Sequence, residues 1–207
     1  VCTASSSHGT GPTWARTNRR ASTARVVSNS AYAASSPVCA RRISAANRGK
    51  LPPAPKRTDV VPTAQAQPAL WQYSLEQPAA DWFKPGFNAA GWKQGKSGFG
   101  TRGTPGAIIG TEWKTPRIWL RREFSVPDGK LGDLRLFMHH DEDAEVYING
   151  VSAVKTPGYT SDYQDFQISS EARAALKSSG NVIAVYCSQT DGGQYIDVGL
   201  VQFEQRR

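Results

Sequence analysis

His140-Asp141-Glu142-Asp143-Ala144-Glu145-Val146-Tyr147-Ile148-Asn149-Gly150-Val151 is the stretch on which the reading of this chain turns. An acidic run opens it. Small or branched apolar residues then alternate with polar or amphipathic ones, so Ala144, Val146 and Ile148 share one face of a strand. Asn149-Gly150 follows at once, the dipeptide that supplies the two positive φ angles of a tight hairpin. A half-buried strand running into a hairpin is an antiparallel signature, and the same period of two recurs on both sides of it.

Upstream, Leu70–Leu75 places Trp71, Tyr73 and Leu75 together. Ile118–Phe124 places Ile118, Leu120 and Phe124 on one face, with Trp119, Arg121 and Glu123 on the other. Leu134–His140 sets Leu134, Leu136 and Met138 against Arg135, Phe137 and His139, and Asn181–Ser188 and Tyr195–Phe203 are two further apolar strands. One short helix is expected at Ser170–Lys177, capped by Ser170 and stopped by Gly180, with Glu171 at its positive end and Lys177 at its negative end. Many short strands, turn residues between them and a single small helix predict an all-β, antiparallel two-sheet sandwich.

The charge divides the chain. Among 207 residues, 25 are Lys or Arg and 17 are Asp or Glu, a net charge of +8. All of that excess lies in residues 1–57, which carry eight Arg, Lys50 and Lys56 and no acid. Ala, Ser, Thr and Arg make up 33 of those 57 residues, a composition with too little apolar surface to offset its ordering entropy. A disordered basic leader is therefore expected at 1–57, a linker at 58–69 and the sandwich at 70–207. A transit peptide suits the Arg- and Ser-rich leader. A secretion signal lacks its apolar stretch after Arg19-Arg20 or Arg41-Arg42, and a nucleic-acid arm lacks aromatics beyond Trp14 and Tyr32. A non-native end, opening on Val1 rather than Met, is the plainest expectation. No stretch approaches the roughly 18 apolar residues of a membrane span. A (β/α)₈ barrel of about 250 residues does not fit the length. Three cysteines (Cys2, Cys39 and Cys187) without a CxxC argue against a disulfide framework or a structural zinc site, and Cys187 reads as a buried, inert thiol.

Several runs together resemble a known family. They are Trp113-Lys114-Thr115-Pro116-Arg117-Ile118-Trp119-Leu120-Arg121-Arg122, the acidic strand–hairpin unit above, Gly180-Asn181-Val182-Ile183-Ala184-Val185, and Gly192-Gly193-Gln194-Tyr195-Ile196-Asp197-Val198-Gly199-Leu200. They are similar to the galactose-binding-like jelly-roll domain of family 2 glycoside hydrolases, the β-galactosidase and β-glucuronidase group, and to accessory sandwiches of large bacterial polysaccharide-degrading enzymes. The match runs over about 70–203. It implies a jelly roll, a non-catalytic module that binds carbohydrate or buttresses the catalytic domain of a parent glycoside hydrolase, and an extracellular or periplasmic location. No barrel follows the match, and residues 1–57 resemble nothing in the family. A sandwich with no ligand of its own and a basic-armed nucleic-acid binder are the competing readings.

Candidate ligand-binding residues follow from chemistry. An indole stacks on the apolar face of a pyranose while neighbours bind its hydroxyls. Trp113, in a Gly/Thr/Pro-rich loop, and Trp119, opposite the core face, are the expected stacking rings. Arg121 is the expected donor, and Asp141 and Asp143 the expected acceptors. The same acidic turn, with Glu142 and Glu145, suits Ca²⁺ because carboxylates match hard cations; its alternative is a solvated turn paired with Arg121 or Arg122. Trp71, Trp82 and Trp92 read as packing residues. A glycosidase needs two carboxyls about 5–5.5 or 6.5–9.5 Å apart across a cleft. Glu112 or Glu123 with Asp143 is the available set, and no spacing selects a pair, so no catalytic residue is assigned. His139 and His140 are adjacent and face opposite sides of a strand, which disfavours a shared metal. The Gly-rich loop Ser97–Thr111 precedes no helix and so is not a phosphate cradle.

Overall fold

A computed structural model describes residues 54–127 and 132–204; the expected leader lies outside the described residues except for its last four positions. In chain order the strands are β1 (Arg57–Val61), β2 (Leu70–Ser74), β3 (Lys93–Lys96), β4 (Phe99–Gly100), β5 (Thr111–Glu112), β6 (Arg117–Phe124), β7 (Asp133–Asp141), β8 (Ala144–Ile148), β9 (Val151–Thr156) and β10 (Gln164–Gln167). The short helix α1 (Ser170–Ala174) comes next, followed by β11 (Asn181–Ser188) and β12 (Tyr195–Phe203).

Two sheets result. One runs β10-β7-β12-β4-β5, with β1 also paired to β12; the other runs β3-β2-β6-β11-β8-β9. Every pairing is antiparallel except the short β4–β5 contact, which is parallel. The all-β two-sheet sandwich is thus the architecture the alternating patterns predict.

The inward residues are the ones the period of two selects. Ile118, Leu120 and Phe124 of β6, Leu134, Leu136 and Met138 of β7, and Ala144, Val146 and Ile148 of β8 meet Ile183 and Val185 of β11 and Ile196, Val198 and Leu200 of β12 in one buried cluster. Register is held across three strands: Val185 lies opposite Leu120 on one side and Val146 on the other. A slip of one residue would turn this whole set outward, so burial itself specifies the pairing.

The hairpin forms as read. Asn149 has φ 50° and Gly150 φ 87°. The Asn149 side chain does more than turn the chain. Its amide donates to Ala175 O at 2.7 Å and to Asn181 Oδ1 at 2.8 Å, and its Oδ1 accepts from Val182 N at 2.8 Å. The hairpin is thereby tied to the end of α1 and the start of β11. The helix is shorter than expected and its cap is one residue earlier: Ser169 Oγ accepts from Ala172 N at 3.1 Å.

The expected linker needs correction. Residues 57–61 form β1, with Arg57 opposite Phe203, Asp59 opposite Val201 and Val61 opposite Leu200. The sandwich therefore begins at Arg57 rather than at Leu70. Arg57, Thr58 and Asp59 are exposed edge residues, Val60 packs half-buried against the core and Val61 enters it, so the segment carries almost no alternating signal.

Candidate functional site

Among the described residues, the outer face of the second sheet carries two hollows with ligand-like lining. On β6 the residues alternating with the core set are Arg117, Trp119, Arg121 and Glu123; on β8 they are Glu145 and Tyr147; on β11 they are Val182, Ala184 and Tyr186. The connection between β2 and β3 lies across this face and buries Trp82 against Trp119, Val182 and Ala184, with Phe83, Phe87 and Trp92 alongside. Arg121 holds the connection down. Its guanidinium donates to the Trp82 carbonyl and lies 5.4 Å from the centre of the Phe87 ring. Burial pushes the Arg121 pKa down, while Glu123 and Asp81 pull the other way.

Where the connection stops short of the sheet, a hollow of about 250 Å³ remains, lined by Trp82, Trp119, Tyr147 and Tyr186 with Arg117, Glu145 and Gln77. Trp119 and Tyr186 form a tilted pair with centroids 5.4 Å apart, and Trp82 meets Tyr147 edge to face at 5.8 Å. The Tyr147 hydroxyl donates to Glu145, whose carboxylate also pairs with Lys155 at 3.0 Å. Burial raises the Glu145 pKa, and these two donors outweigh it, leaving the carboxyl below its ordinary value. A second hollow of about 280 Å³ lies on the same sheet, lined by Gln72, Phe87, Asn88, Arg121, Glu123 and Val182 among others. Flat aromatic walls with hydroxyl, carboxylate and guanidinium groups at the rim suit a ligand that is apolar on one face and hydrogen-bonding at its edge.

The five residues expected to bind sugar do not converge. Trp113 is 1% exposed, inside the main core, where its indole N–H donates to Thr115 Oγ1 at 3.0 Å and Arg117 O at 3.3 Å. It cannot stack on a ligand, because the loop that carries it folds its ring between the sheets. Trp119 does point away from the core face, as parity requires, but the β2–β3 connection covers it to 6% exposure, so only its rim borders the hollow. Arg121, 4% exposed, is engaged with Trp82. Asp141 and Asp143 stand elsewhere, at the β7–β8 turn.

At that turn the Asp143 carboxylate accepts from Gly158 N at 2.7 Å, and Glu142 accepts from the Thr190 hydroxyl. Neither pairs with Arg121 or Arg122. Burial and the neighbouring Glu142 raise the Asp141 pKa. Among the described residues no group of three or more His, Cys, Asp and Glu is disposed to hold a metal ion.

Tyr147, Tyr186, Arg117 and Trp82 add to the residues expected from the sequence. The first three are readable from strand parity, since each alternates with a core residue on its strand; Trp82 is not, because it lies on an irregular connection.

No family model matches the chain, and no curated protein does. Solved structures do. A calcium binding mutant of Bacteroides uniformis β-glucuronidase 2 matches with a TM-score of 0.51 and 16% identity, over 72% of this chain and 18% of that one. A β-glucuronidase from glycoside hydrolase family 2 matches with a TM-score of 0.49 and 18% identity, over 75% and 18% of the two chains. A β-glycosidase from Bacteroides vulgatus matches with 0.47 and 21%, over 70% and 20%. The chain thus spans about a fifth of the length of these enzymes. The first likeness places the sandwich in a fold class: it is the fold of one portion of a much larger glycosidase.

Proposed function

We propose that this chain is a non-catalytic carbohydrate-binding module of a larger glycoside hydrolase, of the galactose-binding-like jelly-roll type, acting outside the cytoplasm beside a catalytic domain. The fold shared with part of a β-glucuronidase supports the setting. The observation that carries the binding reading is the hollow, with four aromatic side chains as walls and Arg117, Glu145 and Gln77 around them. In this reading Tyr186 and the rim of Trp119 stack on a sugar ring, Arg117 donates to its hydroxyls, and Glu145 accepts from them. The acidic turn at Asp141 and Asp143 is a separate feature, and Ca²⁺ there is an additional arm of the test.

A shallow site with one or two stacked rings binds in the millimolar to high-micromolar range, about −4 to −6 kcal/mol. Calorimetric titration of the full chain against galactosides, glucuronides and plant polysaccharide fragments, with and without Ca²⁺, is the direct test. Tyr186→Ala and Arg117→Ala are the informative variants, since neither side chain belongs to the main core; each is expected to weaken binding about fivefold or more while leaving the thermal midpoint within a few degrees. No binding to any glycan favours the other reading that an observation supports: a structural sandwich, whose Trp113 and Arg121 are committed to internal contacts.

A further inference from the structure

The outer face of the first sheet is closed by three chain connections that meet at one carboxylate. Asp197, on β12, is 1% exposed. Its Oδ2 accepts from Ala64 N at 2.7 Å, which anchors the β1–β2 connection, and from the Tyr163 hydroxyl at 2.6 Å, which anchors the β9–β10 connection. Tyr163 in turn shares a hydrogen bond of 2.8 Å with the Tyr195 hydroxyl. With the Tyr163 proton on Asp197, the Tyr195 hydroxyl donates to Tyr163 and accepts from Ile108 N at 3.2 Å, which anchors the β4–β5 connection. We propose that Asp197 is a proton-operated clasp: a proton taken up in mildly acidic surroundings tightens these three connections on the sheet, and its loss toward neutrality loosens them.

Among the described residues, three titratable side chains face the carboxylate: Tyr163, Tyr195 on its own strand, and His139, directly opposite on β7. Asp162 adjoins Tyr163 and acts on His139. Residues 62–69 of the β1–β2 connection contain no titratable group, and residues 101–110 of the β4–β5 connection contain only Arg102, which is exposed. On the neighbouring β1, Arg57 and Asp59 pair with each other at 3.1 Å. Among the described residues, therefore, no cation reaches Asp197 to stabilise its ionised form. Its support comes from hydroxyl and amide donors alone. Burial and the Asp197 charge push the Tyr163 phenol up, so it remains a donor throughout.

The sign follows. An ordinary Asp stands at 3.8; burial pushes Asp197 up to about 6, with the hydrogen bonds from Tyr163 and Ala64 N offsetting only part of that cost. The folded face holds a proton that the opened face releases across this window. The contribution is complete below about 4 and is lost as pH rises through about 6. His139, lowered from 6.5 by burial, contributes with the opposite sign: its share is present above that value and is lost as pH falls. Only a difference between wild type and an Asp197 variant separates the two.

The test uses the full chain. Carbon-detected NMR follows the Asp197 carboxyl, and hydrogen exchange follows amides in residues 62–66, 104–110 and 159–163. The carboxyl is expected to titrate near 6. After correction for intrinsic exchange, protection in the three segments should drop about tenfold between about pH 5 and about pH 7.5. Asp197→Asn, a neutral isostere, should remove that drop. A carboxyl that titrates below about 4.5, or a variant that keeps the full pH response, overturns the proposal. If Asp197→Asn does not fold, Tyr163→Phe replaces it: losing a donor to the ionised carboxylate must move both the titration and the loss of protection to higher pH, and an unmoved titration overturns the proposal equally.

Discussion

The two outer faces of this sandwich are sealed by different chemistry. Over the second sheet lies a layer of rings, Trp82, Phe83, Phe87, Trp92, Trp119, Tyr147 and Tyr186, with Arg121 as a single polar pin. Over the first sheet lies a hydrogen-bonded hub built on Asp197, Tyr163 and Tyr195, with His139 in contact with both tyrosine rings. An aromatic cover is non-directional and tolerates an open hollow at its margin. A polar cover is directional, depends on its donors reaching acceptors, and responds to protons. The inner faces of the two sheets are alike; what each sheet turns outward sets it apart.

The comparison breaks most visibly at Trp82. Trp82→Ala should cost about 3–5 kcal/mol in chemical denaturation, since it removes the ring that meets Phe83, Tyr147 and Trp119 and opens a cavity beneath the connection. A loss under about 1 kcal/mol would mean the rings repack freely and the cover is not a defined layer. On the opposite face, Gly199→Ala should cost about 1–3 kcal/mol. A Cβ there would stand 2.6 Å from Thr63 Cγ2 and 2.8 Å from Val61 O, and must lift the β1–β2 connection from the sheet.

Tyr163→Phe sharpens the contrast between the covers. It leaves the Asp197 carboxylate one donor short and should cost about 1–3 kcal/mol, with the larger loss at about pH 8, where the carboxylate is ionised, than at about pH 5, where it is protonated. Equal losses at both would remove the electrostatic half of the comparison. The smallest effect belongs to Lys155→Met, at the margin of the aromatic face. Its pair with Glu145 is half open to water and should be worth about 0–1 kcal/mol, shrinking with added salt.

The inner faces were legible in the sequence because a strand's parity is physical: Ile118, Leu120, Leu136, Met138, Val146 and Ile148 could point only one way once their neighbours pointed the other. Parity also put Trp119 on the correct side. It could not say what lies on top, and the cover over Trp119 comes from residues 75–92, an irregular segment held by turns such as Trp82 N to Ala79 O at 3.0 Å. Trp113 failed for the same reason: its surroundings read as a loop, and nothing local records that the loop dips its ring between the sheets. The candidate site was therefore only partly visible. Trp119 borders it, Arg121 supports it from beneath, and Asp141 and Asp143 belong to another part of the molecule. β1 escaped because an edge strand with a polar exposed run carries no alternation to detect.

The position of β12 has a consequence in time rather than in space. From Tyr195 to Val201 every residue is buried, and the strand takes β7 on one side and β1 and β4 on the other. On a ribosome, β1 emerges more than a hundred residues before its partner. The second sheet can assemble strand by strand once β11 is out, but the first has no middle until the last strand arrives. A nascent chain stopped before Tyr195 would leave the β7 backbone edge that pairs with β12 unpartnered, an adhesive edge awaiting its closing strand. Pairings of such long sequence separation fold slowly, so this interval is where the protein is most exposed to aggregation.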